Sequence, residues 1–256
     1  MIGVTGSNGF IGTHVLKEFE QNGIEVKPFR RGEESLESFA SDCSLIVNCA
    51  GVNRSNKESD FDNVNVNFLK ELWETGRPIL NLSSVHAGVD SPYGRTKKMG
   101  EKYANVSLRC PGVYGPGCKP NYNSVVATWI EAAAKNEPIR VFGNRLISLL
   151  FVEDLADLIR RISEVFFEVE NVFLEKSVFI VRPVSVVTLL DLAFIVKQVC
   201  KSNSEIVVEK DKVCFDSTPK EILRVDDIGE VFTERSTPLI EGLWLQYYER
   251  TFGGTE

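Results

Sequence analysis

Ile2-Gly3-Val4-Thr5-Gly6-Ser7-Asn8-Gly9-Phe10-Ile11-Gly12 decides the fold. An apolar run from residue 2 reads as a short buried strand that breaks at Gly6. A helical pattern follows at once, with Val15, Leu16 and Phe19 on one face. Between the two stands Gly6-x-x-Gly9-x-x-Gly12. In this setting Gly6 permits a tight turn, Gly9 lets the backbone approach a pyrophosphate, and Gly12 lets the helix pack close to the strand. The free amides and dipole of the helix N-terminus then face phosphate charge. Ser7, Asn8, Phe10 and Ile11 complete that loop as its backbone neighbours. An ordinary glycine-rich βα turn is spelled the same way, so the reading needs a second motif.

Working outward, Ile24 to Phe29 reads as the second strand and ends in Arg30-Arg31-Gly32. In a dinucleotide fold this strand end faces the adenosine ribose. An acidic residue there takes the 2′-hydroxyl of NAD, whereas arginine takes a 2′-phosphate. No acid occurs before Glu33, which favours NADPH and leaves NAD(H) open. As solvated turn residues the two arginines would carry no such meaning. Ser44 to Gly51 is the next strand, and small Ala50 and Gly51 after Cys49 would let a cofactor pass over the sheet edge. Phe61 to Trp73 has helical periodicity. Asn65 and Asn67 are poor helix formers there, so one of them has a polar role or both face solvent.

Ile79 to Leu82 is another buried strand, ending in Ser83-Ser84. Pro92 opens a helix through Glu101 that sets Tyr93 and Lys97 on one face, four residues apart. Val106 to Cys110 is a strand leading into Pro111-Gly112-Val113-Tyr114-Gly115-Pro116-Gly117, a stretch read as a rigid loop. Helices follow at Ser124–Ala134, Asp154–Phe166, Thr188–Cys200 and Ile240–Thr251. Strands follow at Ile139–Phe142, Val178–Val181 and Glu205–Glu209. Strands alternating with helices predict an α/β fold, a Rossmann-type doubly wound parallel sheet. The division expected is a nucleotide-binding domain of residues 1–113 and 149–181, with a smaller substrate-binding lobe of 114–148 and 182–256.

The 256 residues are 43% hydrophobic and 25% charged, the make-up of an ordinary globule. No apolar run reaches membrane-spanning length, and a strand beginning at residue 2 leaves no room for a leader. A net charge of −7 argues against nucleic acid as a partner. The six cysteines, at 43, 49, 110, 118, 200 and 214, show no CxxC pairing. They read as reduced core residues of a cytoplasmic protein. With two histidines and no ligand spacing, no metal is expected.

Ser84, Tyr93 and Lys97 form the chemical constellation. A tyrosine with its ordinary pKa of about 10 is a poor acid–base group at neutral pH. A lysine one turn away is expected to stabilise the phenolate. The serine hydroxyl can bond a carbonyl oxygen while Tyr93 exchanges its proton.

These pieces resemble the extended short-chain dehydrogenase/reductase family of nucleotide-sugar enzymes. The matching stretches are Thr5 to Gly12, Cys49-Ala50-Gly51, Asn65-Val66-Asn67, Leu82-Ser83-Ser84, Pro92 to Lys97, Arg109 to Pro116, Phe151 to Ala156 and Leu189 to Ala193. Ala50 to Arg54 and Gly117 to Thr128 look further like the reductase half of bacterial capsule enzymes that make the N-acetylfucosamine precursor. The resemblance implies NADPH-dependent reduction of a 4-keto-deoxysugar nucleotide. Under it Tyr93 is the acid–base residue, Lys97 holds the nicotinamide ribose, and Ser84, with Ser83 as fallback, supplies the hydroxyl. Asn65 matches the family's helix asparagine. Leu82, Pro111, Gly112 and Val113 line the cofactor.

Asn53, Lys119, Asn121, Tyr122, Asn123 and Arg145 are the candidates for the sugar nucleotide. Asn121 and Asn123 are alternatively caps of the helix near Ser124. Ile147 stands where many relatives have a diphosphate-gripping arginine, so Arg145 is the substitute. In that group a cupin domain usually follows the reductase, and no cupin segment is expected within these 256 residues. Two rivals remain: a 4-epimerase that holds NAD tightly, and a catalytically silent NADP-binding regulator. The resemblance allows a homodimer through Phe61–Trp73 and Tyr93–Tyr103.

Overall fold

The opening apolar run forms β1 (Ile2–Thr5), buried along its whole length. The same holds for β3 (Leu45–Asn48), β4 (Ile79–Ser84) and β5 (Val106–Cys110). Continuous apolar strands of this kind are covered on both faces. Together with β2 (Val26–Pro28), β9 (Ser177–Val181) and β12 (Gly229–Val231) they make one seven-stranded sheet in the order β2-β1-β3-β4-β5-β9-β12. All neighbours are parallel. This is the doubly wound sheet expected from the sequence. The chain leaves β1 to one side for β2 and returns to its other side for β3. In such sheets ligands bind beyond the carboxyl ends of the strands at that reversal.

The computed structural model describes residues 1–168, 176–182, 185–209, 229–231 and 237–252. Cys214 and part of the expected 182–256 lobe lie outside them. The chain divides into two units. The first takes Met1–Cys110 and Leu155–Arg182 together with β12; the second takes Pro111–Asp154 and the later elements named below. Among the described residues no helix is long and apolar enough to cross a membrane.

In the first unit, α1 (Phe10–Gln21) follows β1 and buries Gly12, Val15 and Phe19. Residues 33–41, read from the sequence as a plain acidic connection, instead contain α2 (Leu36–Ser41). Ser35 caps it by accepting from the Ser38 amide at 3.2 Å. Six residues are too few for a helical period to show in the sequence. The expected helix at 61–73 is α3 (Glu58–Asp62), one π turn at Asn63–Asn67, and α4 (Phe68–Glu74). Phe39, Ile46, Phe68, Leu69, Leu72 and Ile79 pack into one core cluster here.

At one level of this sheet the apolar pattern is interrupted. Thr5, Asn48, Asn81 and Ser107 sit opposite one another on β1, β3, β4 and β5. Thr5 Oγ1 donates to Asn48 Oδ1 at 2.5 Å, Asn48 Nδ2 to Asn81 Oδ1 at 2.9 Å, and Asn81 Nδ2 to Ser107 Oγ at 3.3 Å. All four side chains are buried.

The second unit contains a three-stranded sheet in which β8 (Leu146–Phe151) runs parallel to β6 (Gly112–Tyr114) and antiparallel to β10 (Ser185–Thr188). A two-stranded sheet pairs β7 (Ile139–Phe142) with β11 (Ile206–Glu209). The helices are α6 (Val125–Ala134), α8 (Leu189–Val199) and α9 (Leu239–Phe252), and α7 (Val152–Glu168) follows β8 directly in the chain. Its core includes Tyr114, Trp129, Ile130, Phe151, Leu192 and Leu243. The stretch read as a rigid loop at 111–117 thus contains a strand. Edge position explains it: β6 bonds one neighbour only, so flanking proline and glycine are tolerated.

Behind the parallel sheet α5 (Pro92–Gly100) is followed by a short turn carrying Glu101. Arg109 on β5 clamps Glu101 with Nε at 2.7 Å and Nη2 at 2.8 Å, and Ser83 Oγ donates to the same carboxylate at 2.7 Å. Both charged side chains are almost wholly buried. Removing one member leaves an uncompensated buried charge. Arg109→Met is expected to lower the unfolding free energy by about 3–5 kcal/mol, and Arg109→Met with Glu101→Leu to recover part of it. Urea unfolding midpoints at constant m-value check both.

Candidate active site

The glycine loop is built by close contact. Gly6 has φ 65°, and a Cβ there would lie 2.6 Å from the Ala50 amide nitrogen. A Cβ on Gly12 would run into the Gly6 carbonyl oxygen. Gly9 donates to that carbonyl at 2.9 Å and stands as the N-cap of α1, with no side chain closing the helix start. Ser7 is buried and its Oγ donates to the Phe29 carbonyl at 3.4 Å, whereas Asn8 is exposed. Phe10 and Ile11 are half-buried in the first turn. A backbone cradle of this shape, opening on helix amides, suits a pyrophosphate.

Ser91 starts α5 by accepting from the Gly94 amide at 3.0 Å, with Pro92 at the first helical position. That start sets Tyr93 and Lys97 one turn apart. Lys97 is 9% exposed and its Nζ donates to the Leu82 carbonyl at 2.9 Å. A Cβ on Gly51 would lie 2.9 Å from the same nitrogen. Asn65 sits in the π turn, a form enriched at functional sites. Its Oδ1 accepts from the Val52 amide at 2.9 Å and its Nδ2 donates to the Val52 carbonyl at 2.8 Å. It therefore pins the strand exit Cys49-Ala50-Gly51 rather than facing solvent.

The Ser84 hydroxyl is close enough to Tyr93 to favour its phenolate. The neighbouring Ser83 is committed to Glu101, so Ser84 is the hydroxyl beside the tyrosine. Burial raises the Tyr93 pKa, with the nearby Ser84 hydroxyl opposing. This corrects the expectation that Lys97 would lower it. The Lys97 ammonium is turned to the Leu82 carbonyl, and loss of water around the phenolate is the largest influence on Tyr93. Lys97 itself is pulled down to about 8 by burial, against Cys110, Cys49 and Glu101. The Cys49 and Cys110 thiols are pushed up to about 12 by burial, so they stay neutral and unreactive.

Arg30 and Arg31 follow β2 on an exposed turn. Arg30 Nη1 lies 3.8 Å from Glu33, and the Arg31 guanidinium lies 5.7 Å from the Phe68 ring centre. Asn53 is exposed two residues beyond Gly51. The remaining candidates belong to the second unit. Pro111 precedes β6, and Gly112 and Val113 lie in it. Lys119, Asn121, Tyr122 and Asn123 are exposed between β6 and α6, and Arg145 is half-buried between β7 and β8. Ser124, not an asparagine, caps α6 by accepting from the Ala127 amide at 3.2 Å. Asn121 has φ 55° and donates from Nδ2 to Glu131 at 3.0 Å.

One residue escaped the sequence reading. The His86 amide donates to Ser84 Oγ at 3.1 Å, and His86 Nδ1 lies 3.3 Å from the same oxygen. The available signal was a histidine two places after the strand-end serine, in a chain with only two histidines.

Residues 83–172 match the NAD dependent epimerase/dehydratase family, a span that includes Ser84, Tyr93 and Lys97. A UDP-2-acetamido-2,6-beta-L-arabino-hexul-4-ose reductase of Pseudomonas aeruginosa is 33% identical over 172 residues, covering 59% of this chain and 46% of that protein. The matched part is thus about half that relative's length. The fold is shared with UDP-glucuronic acid 4-epimerase from Bacillus cereus in complex with NAD, at TM-score 0.78 and 16% identity over 100% of this chain and 98% of the other. UDP-glucose 4-epimerase from Thermotoga maritima with UDP-glucose gives TM-score 0.75 and 20% identity over 98% and 99%. The family resemblance and the Rossmann-type fold read from the sequence are borne out.

Because the Lys97 pKa is lower folded than unfolded, the folded state binds fewer protons between those values. Stability from this group therefore rises as pH increases from about 8 toward the unfolded value of about 10.4. Trace acetylation followed by mass spectrometry between about pH 6 and 11 should give Lys97 a labelling midpoint near 8, with ordinary exposed lysines near 10.4. A Lys97 midpoint at or above about 10 contradicts the buried-amine description.

Proposed function

We propose that this chain, whose residues 83–172 match the NAD dependent epimerase/dehydratase family, is an NADPH-dependent reductase of a 4-keto-deoxysugar nucleotide. The observation that carries this reading is the placement of Tyr93 one turn from the buried Lys97, whose Nζ donates to the Leu82 carbonyl at the end of β4, two residues before Ser84, on the sheet edge that also bears the glycine cradle. The likeness to the UDP-2-acetamido-2,6-beta-L-arabino-hexul-4-ose reductase of Pseudomonas aeruginosa supports the substrate class.

The residues present fit a nicotinamide dinucleotide. Gly6, Gly9 and Gly12 would receive its pyrophosphate on backbone amides, and Arg30 and Arg31 would meet a 2′-phosphate. Bound there, such a cofactor supplies the hydride. Tyr93 holds the proton that the substrate carbonyl oxygen receives as it becomes a hydroxyl. Ser84 orients that oxygen and shares the charge it develops. Lys97 keeps a positive charge close by and would hold the ribose. Lys119, Tyr122, Asn123 and Arg145, with Asn53, are the residues proposed for the nucleotide diphosphate and sugar; the Asn121 amide is already engaged by Glu131. A homodimer through 61–73 and 93–103 is part of the same proposal.

Tyr93→Phe keeps the ring and removes the proton donor. Turnover should fall by roughly 10² or more, while the NADPH Kd stays within about twofold. A variant with near-parental kcat sinks the mechanism. Arg30→Ala with Arg31→Ala should weaken NADPH about tenfold or more, the loss of a charge-assisted contact, and leave NADH unchanged; equal loss of both makes the arginines structural. An epimerase with tightly held NAD is separated by stoichiometry. The reductase consumes one NADPH per keto-sugar nucleotide, and the epimerase consumes none.

A further inference from the structure

We propose that Phe68 and Lys27 are positioning residues for a 2′-phosphate: Phe68 holds the Arg31 guanidinium ready for it, and Lys27 draws the acid that bridges to Arg31, Glu34, away from it. The inference rests on the NADPH reading above and deepens it.

Lys27, Phe29 and Arg31 stand at alternate positions where β2 runs out, the spacing that puts side chains on one face. Three phenyl rings form a row there. Phe29 lies 5.0 Å from Phe39 and 5.9 Å from Phe68, centre to centre. A cation closes each end of the row. Lys27 Nζ stands 5.7 Å from the centre of Phe39, and the Arg31 guanidinium 5.7 Å from the centre of Phe68. Phe39 and Phe68 are buried in the core cluster of this unit, so the row is anchored to the sheet. A ring attracts a guanidinium through its quadrupole and leaves the N–H fork to bond an anion. Among the described residues no carboxylate pairs with Arg31.

The backbone sets this fork beside the glycine cradle. The Phe29 amide donates to the Val4 carbonyl at 2.8 Å, and Ser7 Oγ to the Phe29 carbonyl at 3.4 Å. The Glu33 amide then donates to the Arg30 carbonyl at 3.2 Å around Gly32, whose φ is 88°. A turn with positive φ at its third residue takes glycine. It folds Glu34 back to form a β-bridge with Arg31. A loose carboxylate there would compete for the guanidinium and repel a phosphate. Instead Lys27 Nζ donates to Glu34 Oε2 at 2.8 Å and to Asp42 Oδ2 at 2.9 Å. Those two bonds, that to Glu34 first, raise the Lys27 pKa, so the clip stays charged at neutral pH. Glu33 lies 3.8 Å from Arg30 with both side chains exposed, a pair too loose to fix either.

The probes 2′,5′-ADP and 5′-AMP differ only in the 2′-phosphate, so the ratio of their Kd values by titration calorimetry reads this site without turnover. Phe68→Leu keeps an aliphatic side chain in the core and removes the ring. The preference for 2′,5′-ADP should fall about two- to fivefold, with the 5′-AMP Kd unchanged. Phe68→Met replaces it if the melting temperature shows that leucine unfolds the core. Lys27→Met should lower the preference by about as much. Adding Glu34→Gln to Lys27→Met should restore it. Adding Glu25→Gln instead restores the net charge but leaves Glu34 loose, and should not. Parental preference in the Phe68 or Lys27 single variants, parallel loss of both probes, no recovery with Glu34→Gln, or recovery with Glu25→Gln overturns the proposal. A parent indifferent to the 2′-phosphate overturns it together with the NADPH preference. A parent that favours 2′,5′-ADP, loses that preference in these variants and reduces no keto-sugar nucleotide supports the proposal and overturns the reductase reading.

Discussion

The first helix rests on the first strand through bare backbone. Gly12 touches the Gly6 carbonyl, and Gly6 in turn backs onto the Cys49–Ala50 peptide. Three segments thus meet with no side chain between them. That contact fixes where the amides of α1 point and brings the exits of β1 and β3 together. A methyl group at Gly6 or Gly12 would push these segments apart. The charge logic of the sheet edge follows from this spacing.

Lys97 shows the electrostatic side of the same construction. It is nearly dehydrated, donates to one carbonyl, and has two neutral thiols close by. Burial works against its charge and against the Tyr93 phenolate alike. The site therefore holds an amine whose pKa is pushed down and a phenol whose pKa is pushed up, each toward its neutral form. Nearby Glu101 contributes little relief, because Arg109 and Ser83 already hold its carboxylate.

Much of this was legible in the sequence, and the boundary is physical. The glycine spacing predicted the cradle because each glycine there answers a steric demand. The four-residue interval predicted that Tyr93 and Lys97 share a face. The family resemblance already put Ser84 ahead of Ser83, and the structure adds a physical reason: adjacent strand residues point to opposite faces, and Ser83 faces Glu101. Asn65 was ambiguous because a π turn shifts the helical register by one residue and no residue type announces it. α2 and β6 were missed because each is shorter than the window in which periodicity can be seen. The pKa expectation at Tyr93 failed because sequence gives the neighbour but not the loss of water. His86 was passed over because what it contributes is a hydrogen bond within a turn, and turns leave little pattern.

The row Thr5–Asn48–Asn81–Ser107 bears on how this sheet assembles. Apolar parallel strands carry little information about register, because leucine, isoleucine and valine can trade places at small loss. Four polar groups at one level supply that information. A strand displaced by a single residue would face buried amides with methyl groups, and each unmet group would weigh by about 1–3 kcal/mol. Misaligned sheets would then be discarded during folding before they harden. The ladder acts as a proofreading mark on a surface that is otherwise blank.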